Sequence, residues 1–400
     1  MPTVGLDISA LDPGYKEHAF RGIGRYVKKL KEYFDSHRSE LINIKYFDHT
    51  CFNAPRVVNS VVDALPAGKN TVKMQLLYPL QLNSRQLADM DYLHFPAHMD
   101  APSWSSRRCI VTVLDLIPLV CKELYRKDRP DWRFKLARWL ENRAIKSAEL
   151  ILAISHNTAK DVHRILGVPE ERILVTHLGV DDVFFRVPAI SKEVVLSKYH
   201  IPLNRDFLIY VGGIDQRKNM GFMLEVFRQV VHVYARERQA PPFLVLAGSI
   251  KKDRQYPNLC KKISECGCEE LVIQAGYVPD GDLVALLKAS TAFFFPSLYE
   301  GFGLPPLEAM AAGTVVISSN SSAMPEVLGD AALYFDPYDS DSAVRQILAV
   351  KDNHTLRESL IARGKDQAAK FTWERTGEAT LKAYSSCFKE HQERAGNAAH

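Results

Sequence analysis

The sequence predicts an α/β protein made of two doubly wound domains, each built on a parallel sheet. With 400 residues, the chain is long enough for two domains that each have a sizeable core. In both halves, short apolar runs typical of buried strands alternate with helical patterns, which favours parallel sheets covered by helices. Polar residues and prolines interrupt this pattern near the middle of the chain. The expected parts are a first domain at residues 1–185, a linker at 186–205, a second domain at 206–371, and a helix with a tail at 372–400.

The first half begins with a strand, because apolar residues alternate with smaller or polar ones from Thr3 to Ile8. A glycine-containing loop follows, and a basic helix is expected from Arg25. Gly22 and Gly24 lie at the start of that helix, where the backbone could cradle a phosphate or a donor sugar, with a tight turn as the alternative. The strands expected in this half are Thr3–Ile8, Leu41–Phe47, Tyr92–Phe95, Cys109–Leu114, Leu150–Ile154 and Ile173–His177.

The second half opens with a strand from Phe207 that ends at Gly212 and Gly213. Arg217 and Lys218 then open a helix, and two cations beside the N–H groups of a helix start would clamp a diphosphate. Surface charge at a helix start is the alternative, which the preceding glycine pair disfavours. The further strands expected in this half are Phe243–Ala247, Leu271–Ala275, Ala292–Phe295, Val315–Ser318 and Ala332–Phe335.

The most informative stretch runs from Thr291 to Gly313. Its aromatic run, Ala292–Phe295, predicts a strand buried on both faces. A polar loop with Glu300 follows, and Gly303 lets the backbone approach a ligand closely. A helix is expected at Leu307–Ala312, after two prolines that suit its first turn. The loop and the helix start would therefore present N–H groups to a phosphate.

Two carboxylates frame this loop: Glu300 lies within it, and Glu308 is expected in the first turn of the helix. A carboxylate repels an anion, but it accepts hydrogen bonds from sugar hydroxyls. The pair therefore indicates a ligand that carries both phosphate and sugar diols, which is a nucleotide sugar. For either glutamate alone, a solvated loop position or a favourable helix dipole is a sufficient explanation.

Glu300, seven residues and Glu308, inside E-G-F-G-L-P-P-L-E-A-M-A-A-G, resemble the E-x7-E motif of retaining glycosyltransferases, specifically family 4 of the GT-B fold. The resemblance extends over nearly the whole chain and is strongest from Phe207 to Pro337. It implies two Rossmann-like domains facing a central cleft, with the acceptor side in the first and the nucleotide sugar in the second. It also implies that the last helix, from Trp373, returns to the first domain.

This resemblance implies roles for individual residues. Glu300 would hold the hydroxyls of the donor sugar, Glu308 would bind the ribose, and Arg217 and Lys218 would stabilise the diphosphate. This chain has Gly213 at the position where the family commonly has an arginine. The family's nearby lysine matches Lys218, which is therefore assigned to the diphosphate, together with the adjacent Arg217. The donor-binding residues expected are Gly22, Gly24, Gly213, Tyr277, Gly301, Phe302, Gly303, Leu304 and Glu308.

Asp115 completes the expected catalytic set of Glu300, Lys218 and Arg217. It follows a buried strand, where ligands of α/β sheets bind. The segment resembles the family's H-D-x-x-P, but Leu114 stands in place of the histidine, so Asp115 is the matching polar residue. His94 and His98 could enter the same cleft, and we expect both to be structural, hydrogen-bonded histidines.

The expected activity is retaining transfer of a hexose from a nucleotide-diphosphate sugar to a hydroxyl of a glycan or lipid-linked glycan. The segments G-I-G-R-Y and G-G-I-D-Q-R-K-N look most like bacterial polysaccharide mannosyltransferases, so GDP-mannose is the first donor expected and UDP-sugars are the second. The alternatives are a sugar phosphorylase, a nucleotide-sugar epimerase and a non-catalytic scaffold that binds sugar nucleotides. The phosphorylase would need a cofactor-lysine context that is not evident, and the epimerase would lack the E-G-F-G-L-P-P-L-E pattern.

Neither a cofactor nor a metal is expected, since the donor is itself the substrate. The segments Asp89–Asp91 and Asp339–Asp341 both match D-x-D, a metal motif of the other glycosyltransferase fold. One precedes a strand and the other is expected to cap a helix, so neither stands before a donor loop. The seven cysteines are odd in number and irregularly spread, which argues against a disulfide framework.

The net charge of +4 is too small to indicate a nucleic-acid partner. The chain shows no apolar run long enough for a membrane span and no signal-peptide pattern at its start, so a cytoplasmic protein is expected. A helix expected at Asp131–Lys146 mixes aromatic residues with arginines and lysines. We expect it to pack with a solvated basic face, and a weak peripheral contact with a membrane is the alternative.

Overall fold

A computed structural model describes residues 1–13, 22–37, 39–48, 82, 87–125 and 132–397. The chain divides into two compact units. Unit 1 contains Met1–Leu178 together with Trp373–His400, and unit 2 contains Gly179–Thr372. The final segment, from Trp373, therefore belongs with the first unit, as the sequence predicted.

Unit 1 is built on a six-stranded, wholly parallel sheet in the order β2-β1-β3-β4-β5-β6. The strands are β1 (Thr3–Asp7), β2 (Asn43–Phe47), β3 (Tyr92–Phe95), β4 (Arg108–Val113), β5 (Leu150–Ala153) and β6 (Ile173–Val175). All six expected strands are present, with ends that differ by at most two residues. The chain reverses its direction of winding between β1 and β3, which is the point where ligands bind in doubly wound sheets.

The helices of unit 1 are α1 (Gly22–Ser36), α2 (Ile117–Val120), α3 (Lys122–Tyr125), α4 (Trp132–Ser147), α5 (His156–Leu166) and the final α14 (Trp373–Asn397). Helix α1 begins at Gly22, three residues earlier than expected. Ser155 caps α5 by accepting a hydrogen bond from the N–H of Thr158, as its position before the helix predicted. Helices α14 and α1 pack together, with the rings of Phe34 and Tyr384 6.2 Å apart.

The core of unit 1 is apolar because its central strands are buried on both faces. Strands β3 and β5 are buried at every position. The core cluster includes Leu93, Phe95, Val111 and Ile151, all fully buried. This uninterrupted burial is the pattern expected of a parallel sheet covered by helices on both sides.

Unit 2 repeats the same principle with the strand order β12-β11-β10-β7-β8-β9, again wholly parallel. The strands are β7 (Phe207–Val211), β8 (Phe243–Ala247), β9 (Val272–Gly276), β10 (Ala292–Phe295), β11 (Val316–Ser319) and β12 (Leu333–Phe335). Counted within the unit, the order is 3-2-1-4-5-6, that of a dinucleotide-binding sheet. The winding reverses between β7 and β10, so their carboxyl ends mark the expected binding crevice.

The helices of unit 2 are α6 (Lys192–Lys198), α7 (Met220–Arg236), α8 (Tyr256–Glu265), α9 (Asp280–Ala289), α10 (Leu304–Ala311), α11 (Met324–Leu328), α12 (Ser340–Lys351) and α13 (His354–Ala368). Helix α6 lies where a linker was expected. Its Val195 and Leu196 are buried, and it packs on α9, so this segment is part of unit 2. Apolar residues at helical spacing within the expected linker account for the difference.

No helix within the described residues is long and apolar enough to span a membrane. The cysteines of the described part carry free thiols.

Candidate functional site

The carboxyl ends of β7 and β10 bring the charged residues of unit 2 together. After β7, Gln216–Lys218 forms a 3-10 turn that holds Arg217 and Lys218. After β10, the loop carries Glu300. The two strands are neighbours in the sheet, paired through Ala292 and Leu208. The two basic residues and Glu300, which the sequence predicted as site residues, therefore meet at the point where the winding of the sheet reverses.

Lys218 and Arg217 both bind one oxygen of Glu300. The Nζ atom of Lys218 lies 2.6 Å from Oε1 of Glu300, and Nη1 of Arg217 lies 2.7 Å from the same oxygen. Glu300 is only 8% exposed and Lys218 only 7%. The sequence indicated separate roles for the cations and the carboxylate, but gave no signal that they would be in direct contact.

The backbone around this cluster is fixed by further hydrogen bonds. The Oδ1 atom of Asp215 accepts from the N–H of Arg217 at 3.2 Å and caps the 3-10 turn. The guanidinium of Arg217 donates a hydrogen bond to the backbone carbonyl of Tyr299. The backbone carbonyl of Arg217 accepts a hydrogen bond of 2.7 Å from the N–H of Leu298. These contacts tie the turn after β7 to the loop after β10. Both loops must therefore keep their shape for the charged cluster to form.

Ser322 is a site residue that the sequence analysis missed. Its hydroxyl accepts a hydrogen bond of 2.8 Å from the N–H of Glu300. Its φ of +52° lies in the left-handed region, which is uncommon for a residue other than glycine and marks a backbone position held by its surroundings. Nothing in the composition of the polar loop after β11 distinguishes Ser322 from the neighbouring serines.

The electrostatics of the cluster favour an ionised Glu300. Burial alone would raise the pKa of Glu300, but the nearby Lys218 and Arg217 outweigh it and hold the pKa below its ordinary value. For Lys218, burial lowers the pKa, and the Glu300 carboxylate opposes that effect. The Lys218 ammonium also lies 5.0 Å from the ring centroid of Phe295, a cation–π contact from the end of β10. The buried Lys218 and the half-buried Arg217 thus share the carboxylate of Glu300, and Oδ1 of Asp215 lies 3.7 Å from Nε of Arg217.

The loop after Glu300 has a backbone conformation that favours glycine at position 303. Gly303 has φ of +107°, and a Cβ there would lie 2.3 Å from Cε of Met324. Phe302 is buried, and its ring packs edge-on against Phe371. Gly301 precedes Phe302, and Leu304 follows Gly303 and begins helix α10. The fold thereby fixes the four loop residues that were expected to bind the donor.

Helix α10 begins at Leu304, three residues earlier than predicted. Pro305 and Pro306 lie in its first turn, as expected, and they have no N–H to offer. The amide groups that can meet an anion are therefore those of the loop and of Leu304. Gly313, expected to end this helix, has φ of +83°, two residues beyond its last helical residue.

The position predicted for Glu308 was wrong, because the earlier helix start moves it from the first turn to the second. No acidic residue lies in the first turn of α10. The helix dipole, strongest within the first turn, is therefore a weaker explanation for this carboxylate. Glu308 is nevertheless 6% exposed, and buried carboxylates are rare unless they interact with other polar groups. Its burial beside the glycine loop is compatible with a ligand-binding role.

Gly213 and Tyr277 also follow strands of unit 2. The hydroxyl of Tyr210 donates to the carbonyl of Gly213 at 2.5 Å, which holds the turn after β7. Tyr277 directly follows β9 and its side chain is 72% exposed. An exposed aromatic ring at a strand end can stack on a nucleobase.

Three of the predicted residues belong to unit 1. Gly22 and Gly24 form the first turn of α1, where Gly22 is exposed and Gly24 is buried. Asp115 follows β4, and its Oδ1 accepts a hydrogen bond of 3.0 Å from the N–H of Ile117 at the start of α2. Arg21, in the same predicted segment as the glycines, lies outside the described residues.

The histidines expected to be structural are both buried. The ring nitrogens of His94 lie 2.6 Å from the hydroxyl of Tyr384 and 2.8 Å from Oγ1 of Thr112, so the expected hydrogen-bonded histidine is confirmed. Desolvation lowers the pKa of His94 to about 3. His98 differs, because its buried Nδ1 has no hydrogen-bond partner among the described residues. Desolvation, with a contribution from the Arg138 charge, lowers the pKa of His98 to about 4.

The two D-x-D segments have structural partners. Asp89 forms an ion pair with Lys45, and Asp91 accepts a hydrogen bond from the N–H of Thr3. Asp339 caps helix α12 by accepting from the N–H of Ser342, as expected.

Comparison with known proteins finds family models that match each of the two units. The family model for glycosyl transferases group 1 matches residues 191–367, and that for glycosyltransferase family 4 matches residues 20–184. The chain is 31% identical over 385 residues to the O-antigen chain mannosyltransferase B of Escherichia coli, covering 92% of this chain and 97% of that protein.

Two further matches cover almost the whole chain. The chain is 26% identical over 406 residues to the alpha-maltose-1-phosphate synthase of Mycolicibacterium smegmatis, covering 95% and 99% of the two chains. Its structure resembles that of sucrose-phosphate synthase from Thermosynechococcus elongatus, with a TM-score of 0.71, 17% identity, and coverage of 98% and 100%. The expected GT-B fold is confirmed by this structural match.

Proposed function

The chain belongs to the family 4 glycosyltransferases, and on that premise we propose that it transfers mannose from GDP-mannose to a hydroxyl of a glycan acceptor, with retention at the anomeric carbon. The observation that carries this proposal is the contact of the buried Glu300 with the buried Lys218 and the half-buried Arg217 at the switch point of unit 2. The choice of mannose rests on the similarity to the Escherichia coli O-antigen mannosyltransferase. The acceptor class follows from the same relative: a growing polysaccharide chain, free or lipid-linked.

The cluster suits the charge changes of glycosyl transfer. As the bond from sugar to diphosphate breaks, negative charge develops on the phosphate and positive charge on the sugar. Arg217 and Lys218 would stabilise the phosphate, together with the N–H groups of the loop from Gly301 to Leu304. The hydrogen bonds between the two loops fix the backbone that carries these groups, and charged groups on a fixed backbone favour electrostatic catalysis.

Glu300 acts on the donor sugar in this proposal. Its carboxylate is held by the two cations, so a diphosphate that binds those cations competes with Glu300 for them. The competition would leave oxygens of Glu300 available to the hydroxyls and the developing positive charge of the donor sugar. Glu308 would accept hydrogen bonds from the ribose, and Tyr277 would stack on the base.

No described residue of unit 2 is assigned as a base for the acceptor hydroxyl. We propose that a phosphate oxygen of the donor takes that proton, which keeps reaction on one face of the sugar and gives retention. Metal ions are not required in this scheme, since Arg217 and Lys218 supply the positive charge. Activity that a chelator abolishes and magnesium or manganese restores would contradict this part of the proposal.

A panel of nucleotides tests the donor. A ligand that binds the native state raises the melting temperature, so GDP-mannose and GDP should raise it while UDP-glucose and UDP-N-acetylglucosamine should not. A shift with UDP species alone would replace the proposed donor with a UDP-sugar and keep the enzyme class. The absence of any shift would contradict a donor site in unit 2.

A further inference from the structure

Helix α4 (Trp132–Ser147) presents an unusual exposed face in unit 1. Trp132, Leu136 and Trp139 are 66%, 38% and 55% exposed, although each is a large apolar residue. Lys135, Arg143 and Lys146 are also exposed on this helix. At about 100° of rotation per residue, these six side chains fall within an arc of about 100°. We call this surface the tryptophan face.

The opposite side of α4 explains why the tryptophan face points to solvent. Leu140, Ala144 and Ile145 are buried, and the last two belong to the core cluster of unit 1. The acidic residue within the helix, Glu141, is buried as well and forms an ion pair with Arg138. The helix therefore leaves its tryptophans outward with cations between them, and its own carboxylate is turned away from that face.

We propose that the tryptophan face binds the surface of an anionic lipid bilayer. Indole rings favour the boundary between lipid headgroups and acyl chains, and lysine and arginine beside them pair with anionic headgroups. Arg143 lies 5.6 Å from the ring centroid of Trp139, so cation and ring are adjacent on the same surface. The chain's charge distribution agrees, since residues 1–185 contain 26 Lys and Arg against 22 Asp and Glu, while residues 186–400 contain 25 of each.

A protein partner fits the tryptophan face less well than a lipid surface does. The cores of protein interfaces are depleted in lysine, whereas this face places Lys135 and Lys146 beside its apolar residues. Long basic side chains can instead lay their methylene stems along the lipid boundary and keep their charges at the headgroups. The occupant expected from this composition is a bilayer.

Vesicle flotation with the full chain tests the proposal. The probes are vesicles of phosphatidylcholine alone and vesicles with about one third phosphatidylglycerol, each at low and at physiological salt. We expect binding to the anionic vesicles only, weakened by salt, because the attraction to headgroups falls off within a Debye length. Trp132→Ser with Trp139→Ser should abolish it, and each of Lys135→Ser and Arg143→Ser should weaken it about fivefold.

Matched controls come from exposed residues of unit 2. Leu203→Ser with Tyr338→Ser removes apolar side chains that are 50% and 81% exposed, and Lys251→Ser with Lys252→Ser removes two exposed cations. These variants should bind anionic vesicles as the wild type does. All variants should keep the wild-type melting temperature, since none removes a buried side chain.

Three results would overturn the proposal. The first is wild-type protein that does not float with anionic vesicles, and the second is undiminished binding by the double tryptophan variant. The third is self-association of the wild type without lipid, seen by sedimentation velocity and lost in the double tryptophan variant. That last result would assign the tryptophan face to contact with a second copy of the chain.

Discussion

The Nζ atom of Lys218 lies 2.6 Å from Oε1 of Glu300, and both side chains are buried. Removing one partner of such a pair leaves the other as a buried charge with fewer favourable contacts. Glu300→Gln should therefore lower the free energy of unfolding by about 3–5 kcal/mol. Lys218→Met should lower it by less, because Arg217 still binds the same oxygen of Glu300. The double variant should lose less than the sum of the two single losses, as measured by urea denaturation.

An exposed pair provides the control for this cycle. Lys198 and Asp282 are also in direct contact, at 2.5 Å, but the side chain of Lys198 is 53% exposed. Lys198→Met should cost only about 0–1 kcal/mol, because Lys198 is exposed and the hydroxyl of Tyr199 still donates to the carboxylate that remains. Additive losses for Lys218→Met and Glu300→Gln would show that the buried contact does not couple the two residues.

Glu308→Gln tests the ribose contact while keeping the shape of the side chain. A hydrogen bond to a charged group is worth about 1.5–3 kcal/mol, so donor affinity should fall about 10- to 100-fold. The melting temperature of the ligand-free variant should stay close to that of the ligand-free wild type. Glu358→Gln, on the exposed surface of α13, should leave donor affinity unchanged. Equal donor affinities for Glu308→Gln and the wild type would remove Glu308 from the donor site.

Gly303→Ala tests the shape of the donor loop. A φ of +107° is strained for alanine, at a cost of about 1–3 kcal/mol, and the new methyl group would also meet Met324. We expect a lower melting temperature and weaker binding of GDP. Adding Met324→Ala should relieve the contact but not the strain, so full rescue by this second change would contradict the backbone argument.

Gly281→Ala is the matched control for the glycine substitution. Gly281 lies in the first turn of α9, and a Cβ there would meet nothing within 4 Å. Alanine is favoured over glycine in a helix by about 0.5–1 kcal/mol. This variant should therefore be as stable as the wild type or slightly more so, with unchanged nucleotide binding.

Much of the fold follows from local sequence patterns. The apolar run Ala292–Phe295 and the alternation from Thr3 to Ile8 predicted strands that the structure confirms, because burial requires such residues at such spacings. The ends of the helices were less predictable. Helix α10 begins at Leu304, so the two prolines lie inside its first turn. The sequence pattern indicated a helix near the prolines but did not indicate at which residue it begins.

The candidate site was predictable only as far as its residues are marked by glycines, prolines and charge. Glu300 and Lys218 lie in such segments, and the sequence therefore indicated both as candidate site residues. Their direct contact spans 82 positions in sequence and depends on β7 and β10 being neighbours in the sheet. Ser322 could not be predicted either, because its hydrogen bond with the N–H of Glu300 forms only when the fold brings the loop after β11 next to the loop after β10.

The buried histidines predict how stability changes with pH. Folding lowers the pKa of His94 to about 3 and that of His98 to about 4, below the ordinary value near 6.5. Between about pH 6.5 and those values, the unfolded state binds more protons than the folded state. Stability should therefore fall with decreasing pH, by up to about 1.4 kcal/mol per pH unit for each histidine.

The variant His94→Gln tests that prediction. Glutamine can still donate to and accept from Thr112 and Tyr384, but it does not titrate. The free energy of unfolding, measured between pH 7 and pH 5, should fall less steeply in the variant than in the wild type. An identical slope in the two proteins would show that His94 does not contribute to the pH dependence.

The most direct test of the account is the transfer activity of Glu300→Gln. With GDP-mannose as donor and a mannose-terminated oligosaccharide as acceptor, we expect wild-type transfer and a kcat about 10²- to 10³-fold lower in the variant, if Glu300 acts as strongly as an oxyanion donor. Binding of GDP should be unchanged or tighter, since Arg217 and Lys218 would no longer be shared with a carboxylate. Near-wild-type transfer by Glu300→Gln would contradict the central claim that this carboxylate acts on the donor sugar.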